Sequence, residues 1–261
     1  MSEALVRRFE AACGLATEAG ALALRLQTGP GRPAGTRKGL QDWLTEADGA
    51  VEALLADRLA LMFPEDGFVG EEGGIRSEGG LRWIVDPIDG TSNYARGRKR
   101  WCVSIGLFEA NEPILGVLDA PALREQFRAR QGHGATLNGA PIAHSGDAEF
   151  SSAMVEFGWS PRVGNETYLG VARQLRELGV MNRAEGSGAL GLADVACGRL
   201  DGYVEIHINL WDVAGVLPLL REVGAAVDHR GFPGPIVAAT PSLGLDLARL
   251  TALAPGGTQQ A

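Results

Sequence analysis

Cysteine is scarce in this chain, with three in 261 residues, and Cys13, Cys102 and Cys197 are far apart and odd in number. That excludes a disulfide scaffold and a cysteine-built metal knuckle. It predicts reduced thiols in a cytoplasmic protein, packed as small core residues. No apolar stretch is long enough to span a bilayer. Basic side chains are outnumbered, 24 against 32 acidic ones, for a formal net charge of −8. Such a surface disfavours nucleic acid and anionic membranes as partners unless charge is locally segregated. The four histidines, His133, His144, His207 and His229, are scattered. Internal repeats and low-complexity segments are also missing.

What is present reads as a globular protein, with 45% hydrophobic and 21% charged residues. The length allows one large domain or two smaller ones with a sizeable core. Leu5, Phe9, Ala12, Ala16, Ala19, Ala23 and Leu26 recur at helical spacing, interrupted by Glu10, Glu18 and Arg25. This predicts an amphipathic helix of the mature fold rather than a signal peptide, ending near Gly29-Pro30-Gly31. A second helix starts around Thr45 to Asp48, which can cap free N–H groups, and stops at Pro64.

The segment Asp86-Pro87-Ile88-Asp89-Gly90-Thr91 carries the most information. It follows Leu81 to Val85, an apolar run that reads as a buried strand. Two carboxylates three residues apart repel each other unless something positive sits between them. Hard divalent cations such as Mg2+ want such oxygen ligands. Gly90 lets the chain turn sharply, so that backbone N–H groups and the Thr91 hydroxyl can face the same ion or its ligand. Two further acidic elements stand at element ends: Gly70-Glu71-Glu72 upstream, and Trp211-Asp212-Val213-Ala214-Gly215 opening a helix-like run to Val223. Alone, Asp86 and Asp89 could cap a turn and Asp212 a helix; together they read as ligands converging on one site.

These elements resemble the inositol monophosphatase family of Mg2+-dependent, lithium-sensitive phosphatases. Weaker matches are Asp42-Trp43-Leu44-Thr45-Glu46-Ala47-Asp48, Gly186-Ser187-Gly188-Ala189 and Gly202-Tyr203-Val204-Glu205, in the family's order from Lys38 to Gly224. The resemblance implies a layered αβαβα sandwich with the metal site between two halves. The first half, 1–143, reads as α+β with antiparallel strands and carries most metal ligands. The second, 144–261, reads as α/β and carries the substrate pocket and Asp212. It also implies a cytoplasmic homodimer acting on a small phosphorylated polyol or amino alcohol, with no membrane or nucleic-acid partner.

By resemblance, two or three Mg2+ ions are held by Glu71, Asp86, the Ile88 carbonyl, Asp89 and Asp212. Thr91 and Asp48 orient the attacking water, Glu71 holds or deprotonates it, and Gly90 and Thr91 donate N–H groups to the phosphate. Asp48 has a second reading, as a helix N-cap only. Ser187, Gly188 and Ala189 match a hydroxyl-binding turn. Glu205 matches an acceptor of sugar-like hydroxyls, or is a strand-edge carboxylate facing water. Lys38 matches a lysine of a loop over the metals, or is a solvated loop lysine. His207, two residues past Glu205, should share its face and could line the pocket.

One departure is the run Ala95-Arg96-Gly97-Arg98-Lys99-Arg100-Trp101, where many relatives carry a Phe-Pro pair. It reads as a solvated basic turn or subunit contact, with an extra anion contact as the other possibility. The expected activity is hydrolysis of inositol-1-phosphate by in-line attack of water. The alternatives are histidinol-phosphate hydrolysis or a regulatory binding role.

Overall fold

The computed structural model describes residues 3–29, 36–39, 42–77 and 79–252. The chain opens with α1 (Glu3–Thr28), then a small antiparallel pair, β1 (Thr36–Gly39) and β2 (Asp42–Leu44). Helix α2 (Glu46–Met62) begins at a capping box in which Thr45 and Asp48 satisfy each other's backbone N–H groups. It stops just before Pro64, as expected. Then come β3 (Gly67–Gly70), β4 (Gly74–Ser77), β5 (Leu81–Asp89) and the short α3 (Thr91–Ala95). Strands β6 (Cys102–Glu109), β7 (Glu112–Ala120), β8 (Glu125–Arg130), β9 (Ala135–Leu137) and β10 (Ala140–Pro141) follow as an antiparallel meander. All of these strands except β1 and β2 form one eight-stranded sheet, ordered β10-β9-β8-β7-β6-β5-β3-β4, in which β3 runs parallel to β5.

The remaining chain builds a second sheet and its helices: β11 (Met154–Phe157), α4 (Asn165–Glu177), β12 (Met181–Arg183), α5 (Gly188–Ala196), β13 (Gly202–Ile208), α6 (Leu210–Ala214), α7 (Leu217–Glu222), β14 (Ala226–His229), β15 (Gly234–Ala239) and α8 (Pro241–Ala252). The sheet order is β12-β11-β13-β15-β14. It is mixed: β12, β11 and β13 are parallel, while β15 runs antiparallel to both β13 and β14.

Three apolar cores separate five layers. Helices α1 and α2 cover one face of the large sheet through Ala16, Ala19, Leu55 and Leu59 against Val85, Ile105 and Val117. Helices α5, α6 and α7 fill the space between the two sheets, packing Leu192, Val213 and Leu220 against Ile84, Leu118 and Tyr203. Helices α4 and α8 close the far side through Val171, Leu175 and Leu247. The alternation along β5 explains the order, since Trp83 and Val85 face the first core and Ile84 the second. This is the layered α+β sandwich expected from the sequence. Among the described residues no helix is long and apolar enough to cross a membrane. The three cysteines are free, with Cys102 fully buried and the others half-buried.

The expected single helix from Asp212 to Val223 is corrected to two. Helix α6 ends at Gly215 and α7 restarts after Val216, with Pro218 in its first turn. The break lets the backbone of α6 lie directly on the large sheet. A Cβ on Gly106 of β6 would run into the Ala214 carbonyl, and one on Gly215 would sit 2.6 Å from the Ser104 hydroxyl.

Candidate active site

The acidic elements converge where β5 ends, α6 begins and the turn after β3 closes. Strand β5 runs beyond the apolar stretch, through both Asp86 and Asp89, and its pairing with β6 becomes irregular between them. That irregularity lets two carboxylates near one strand end serve one site. Helix α6 presents Asp212, whose Oδ2 accepts from the Asn209 backbone N–H at 2.8 Å in a second capping box. Carboxylate oxygens of Asp86, Asp89 and Asp212 all lie within 4.8 Å of one another. Glu71 lies close enough to Asp86 that its charge helps hold the Asp86 carboxyl above the usual range.

Crowding and burial drive these groups toward protonation. Burial first, then Asp212 and Glu72, push Glu71 up to about 8. Burial and then Asp212 push Asp89 up to about 7, opposed by donors from Ser187, Ala189 and Gly188. Burial raises Asp212 to about 6 and lifts Asp86 well above the usual carboxylate range. Asp48 rises to about 6, chiefly through burial, and its Oδ1 is buried with no hydrogen-bond partner although Oδ2 caps α2. An all-oxygen donor set, desolvated and mutually repelling, fits a hard divalent cation such as Mg2+. Asp48 is therefore both a cap and a member of the acidic neighbourhood.

The turn leaving β5 needs Gly90, which sits at φ 87°. It delivers Thr91, whose hydroxyl donates to the Ile88 carbonyl at 2.9 Å, while the Ile88 N–H donates to Asp86 at 2.9 Å. Glu71, Asp89, Gly90 and Thr91 line a cavity of about 550 Å3 with Asp212, Ser187, Gly188 and Glu205. Asp86, Ile88, Asp48 and Ala189 are not among the residues lining it. Ser187 caps α5, accepting from the Leu190 N–H, and its hydroxyl donates to Asp89. The Gly188 and Ala189 N–H groups donate to the same carboxylate, each at 3.2 Å. Glu205 is buried and accepts from the Tyr203 hydroxyl, so it is no strand-edge carboxylate facing water.

Two expectations need correction. The basic turn is exposed at Arg96, Arg98 and Lys99, but Arg100 departs from it: its guanidinium lies between Glu156 (3.1 Å) and Asp194 (2.9 Å) with only 18% of the side chain exposed. His207 is not among the residues lining the cavity. Lys38 falls on β1, and its side chain lies outside the described residues.

The sequence reading missed Glu52, a lone carboxylate on the buried face of α2. It accepts from the Glu72 and Gly73 N–H groups at 2.8 Å each and so fixes the turn bearing Glu71. Its signal was a charge amid Val51, Leu55 and Leu59. Also missed were Glu156, Trp159, Arg162 and Glu185, which line the cavity from the second sheet's side.

Comparison with known proteins bears on the family and the fold. The family model of the inositol monophosphatase family matches residues 5–253. Nus factor SuhB of Xylella fastidiosa is 38% identical over 206 residues, covering 76% of this chain and 74% of its own. Inositol monophosphatase 2 of Solanum lycopersicum is 38% identical over 206 residues, covering 74% and 77%. Among solved structures, inositol monophosphatase from Anabaena (Nostoc) superposes with a TM-score of 0.82 at 32% identity, covering 96% of this chain and 97% of its own. The family is metal-dependent, generally on Mg2+, and acts on small phosphorylated polyols. The chain belongs to the inositol monophosphatase family and is a phosphoric monoester hydrolase.

Proposed function

We propose that the chain hydrolyses inositol-1-phosphate to inositol and inorganic phosphate. The observation that carries this reading is the Asp86, Asp89 and Asp212 triad, its oxygens within 4.8 Å of one another, beside a cavity that Glu205 also lines. Glu71, Asp86, the Ile88 carbonyl, Asp89 and Asp212 would hold two or three Mg2+ ions. When bound, Mg2+ neutralises charge on the transferring phosphoryl group, lowers the pKa of water and steadies the leaving oxygen.

The chain's own groups do the rest. Gly90 and Thr91 donate N–H groups to the phosphate. The Thr91 hydroxyl, fixed on the Ile88 carbonyl, orients the attacking water with Asp48. Glu71 accepts a proton from that water. Attack on phosphorus in line with the ester oxygen forms a new P–O bond and breaks the ester P–O bond, and the departing oxygen takes a proton from solvent to leave as the alcohol, with no covalent enzyme intermediate. Ser187, Gly188, Ala189 and Glu205 meet the alcohol half, whose hydroxyls suit a carboxylate acceptor. An ammonium would suit Glu205 too, which keeps histidinol phosphate as the alternative substrate.

The test is phosphate release from inositol-1-phosphate, histidinol phosphate, adenosine 3′,5′-bisphosphate and fructose-1,6-bisphosphate, with Mg2+ and with chelator. A Mg2+-dependent preference for inositol-1-phosphate, lost in Asp89→Asn, is expected. No turnover with Mg2+ bound would sink the reading. A second, regulatory role is favoured by the 38% identity to a Nus factor. It predicts a cellular phenotype that survives Asp212→Asn. The same reading holds the protein to be a cytoplasmic homodimer of two halves, 1–143 and 144–261.

A further inference from the structure

Arg100 stands between α3 and β6, on the large sheet's side of the molecule, yet its side-chain partners all come from the other side. One guanidinium nitrogen reaches Glu156 of β11 at 3.1 Å, and another reaches Asp194 of α5 at 2.9 Å. Glu156 uses its other oxygen to accept the Glu185 N–H at 2.9 Å. The Arg100 carbonyl takes part as well. The Asn93 amide donates to it at 2.8 Å and, from the same nitrogen, to the carbonyls of Glu185 (2.8 Å) and Gly186 (3.1 Å). Asn93 is itself oriented by Arg98, which donates to its Oδ1 at 2.9 Å. The turn from 185 to 189 is thus gripped at one end by the Arg100 network. At its other end, Ser187, Gly188 and Ala189 donate to Asp89.

From this geometry we infer that Arg100 is a positioning residue that sets the cavity's selectivity for a polyhydroxylated alcohol. Anchored on Glu156 and Asp194, it holds the 185–189 turn where that turn presents its donors to Asp89 and its outer face to the alcohol half of the substrate. The inference deepens the phosphatase reading above and rests on it. Arginine is required because a planar fork can engage Glu156 and Asp194 at once. A lysine ammonium keeps the charge but concentrates it at one point.

The test compares the full-length, Mg2+-loaded protein with Arg100→Lys and Asp194→Asn. The first keeps a positive charge beside the buried Glu156. The second removes one anchor without altering any residue that lines the cavity. Hydrogen exchange is read at the amides of 185–189, and kcat and KM are read on inositol-1-phosphate and on 4-nitrophenyl phosphate, which has no hydroxyls for the turn to recognise. Exchange at 185–189 should quicken in Arg100→Lys. Selectivity for inositol-1-phosphate over the nitrophenyl ester should fall about tenfold, carried by KM, a size typical of losing an outer-shell partner. Asp194→Asn should move both readouts in the same direction by less. Unchanged exchange at 185–189, or an equal loss on both substrates, would overturn the inference. A wild-type protein that releases phosphate from neither substrate would instead defeat the phosphatase reading, and the exchange data would still decide the positioning role.

Discussion

The hydroxyl of Ser187 donates to Oδ2 of Asp89 across 98 positions of sequence, joining the end of β5 to the start of α5. The contact opposes burial, which otherwise drives Asp89 toward its protonated form. Ser187→Ala should therefore raise the Mg2+ concentration needed for half-maximal phosphate release about tenfold. It should also cost about 1 kcal/mol of stability through the lost cap of α5. A Mg2+ titration of activity beside a thermal melt checks both.

Stability should depend on pH in a direction unusual for carboxylates. Glu71 at about 8, Asp89 at about 7, and Asp48 and Asp212 at about 6 all lie above their ordinary values of 3.8 to 4.5. In the window from about pH 4 to about pH 8 the folded chain keeps protons that the unfolded chain has released, so stability falls as pH rises. With chelator, Tm should decline from about pH 5 to about pH 8. Excess Mg2+ should remove the decline by compensating the ionised groups. Superimposable curves with and without Mg2+ would show that these carboxylates hold no cation.

Asp212→Asn should abolish phosphate release by at least about 100-fold, the upper end of what outer-shell changes alone cost. An asparagine oxygen can still accept from Asn209, so α6 keeps its cap. In chelator the variant should melt no lower than the parent, because one buried ionisable group has gone. A variant that retained activity would remove Asp212 from the ligand set.

Gly106→Ala tests how closely α6 must lie on the sheet. The added methyl would meet the Ala214 carbonyl, two residues past Asp212. Overpacking of this kind costs about 1–3 kcal/mol. The shift should also lower Mg2+-dependent activity measured well below Tm. Loss of stability with full activity would mean that α6 tolerates displacement.

Much of this was legible because the signals are local. Asp86 and Asp89 announce themselves by spacing, and Thr45 and Asp48 by their place before an apolar helix. Arg100 was misread because its partners lie at 156 and 194, and nothing near it in sequence marks them. Glu52 was passed over because a single charge on an apolar helix face looks like an interruption until the N–H groups of Glu72 and Gly73 are seen to end on it. The helix break at Gly215 escaped notice because periodicity ran on through it, while the close approach it permits to Ser104 and the β6 backbone is tertiary.

Asp86 and Asp89 belong to a strand of the large sheet, and Asp212 to a helix lodged between the two sheets. A cation shared among them would act as a rivet through two layers. Binding that favours only the assembled form stabilises it by mass action. Supply of the ion would then govern how long each molecule survives as well as how fast it works.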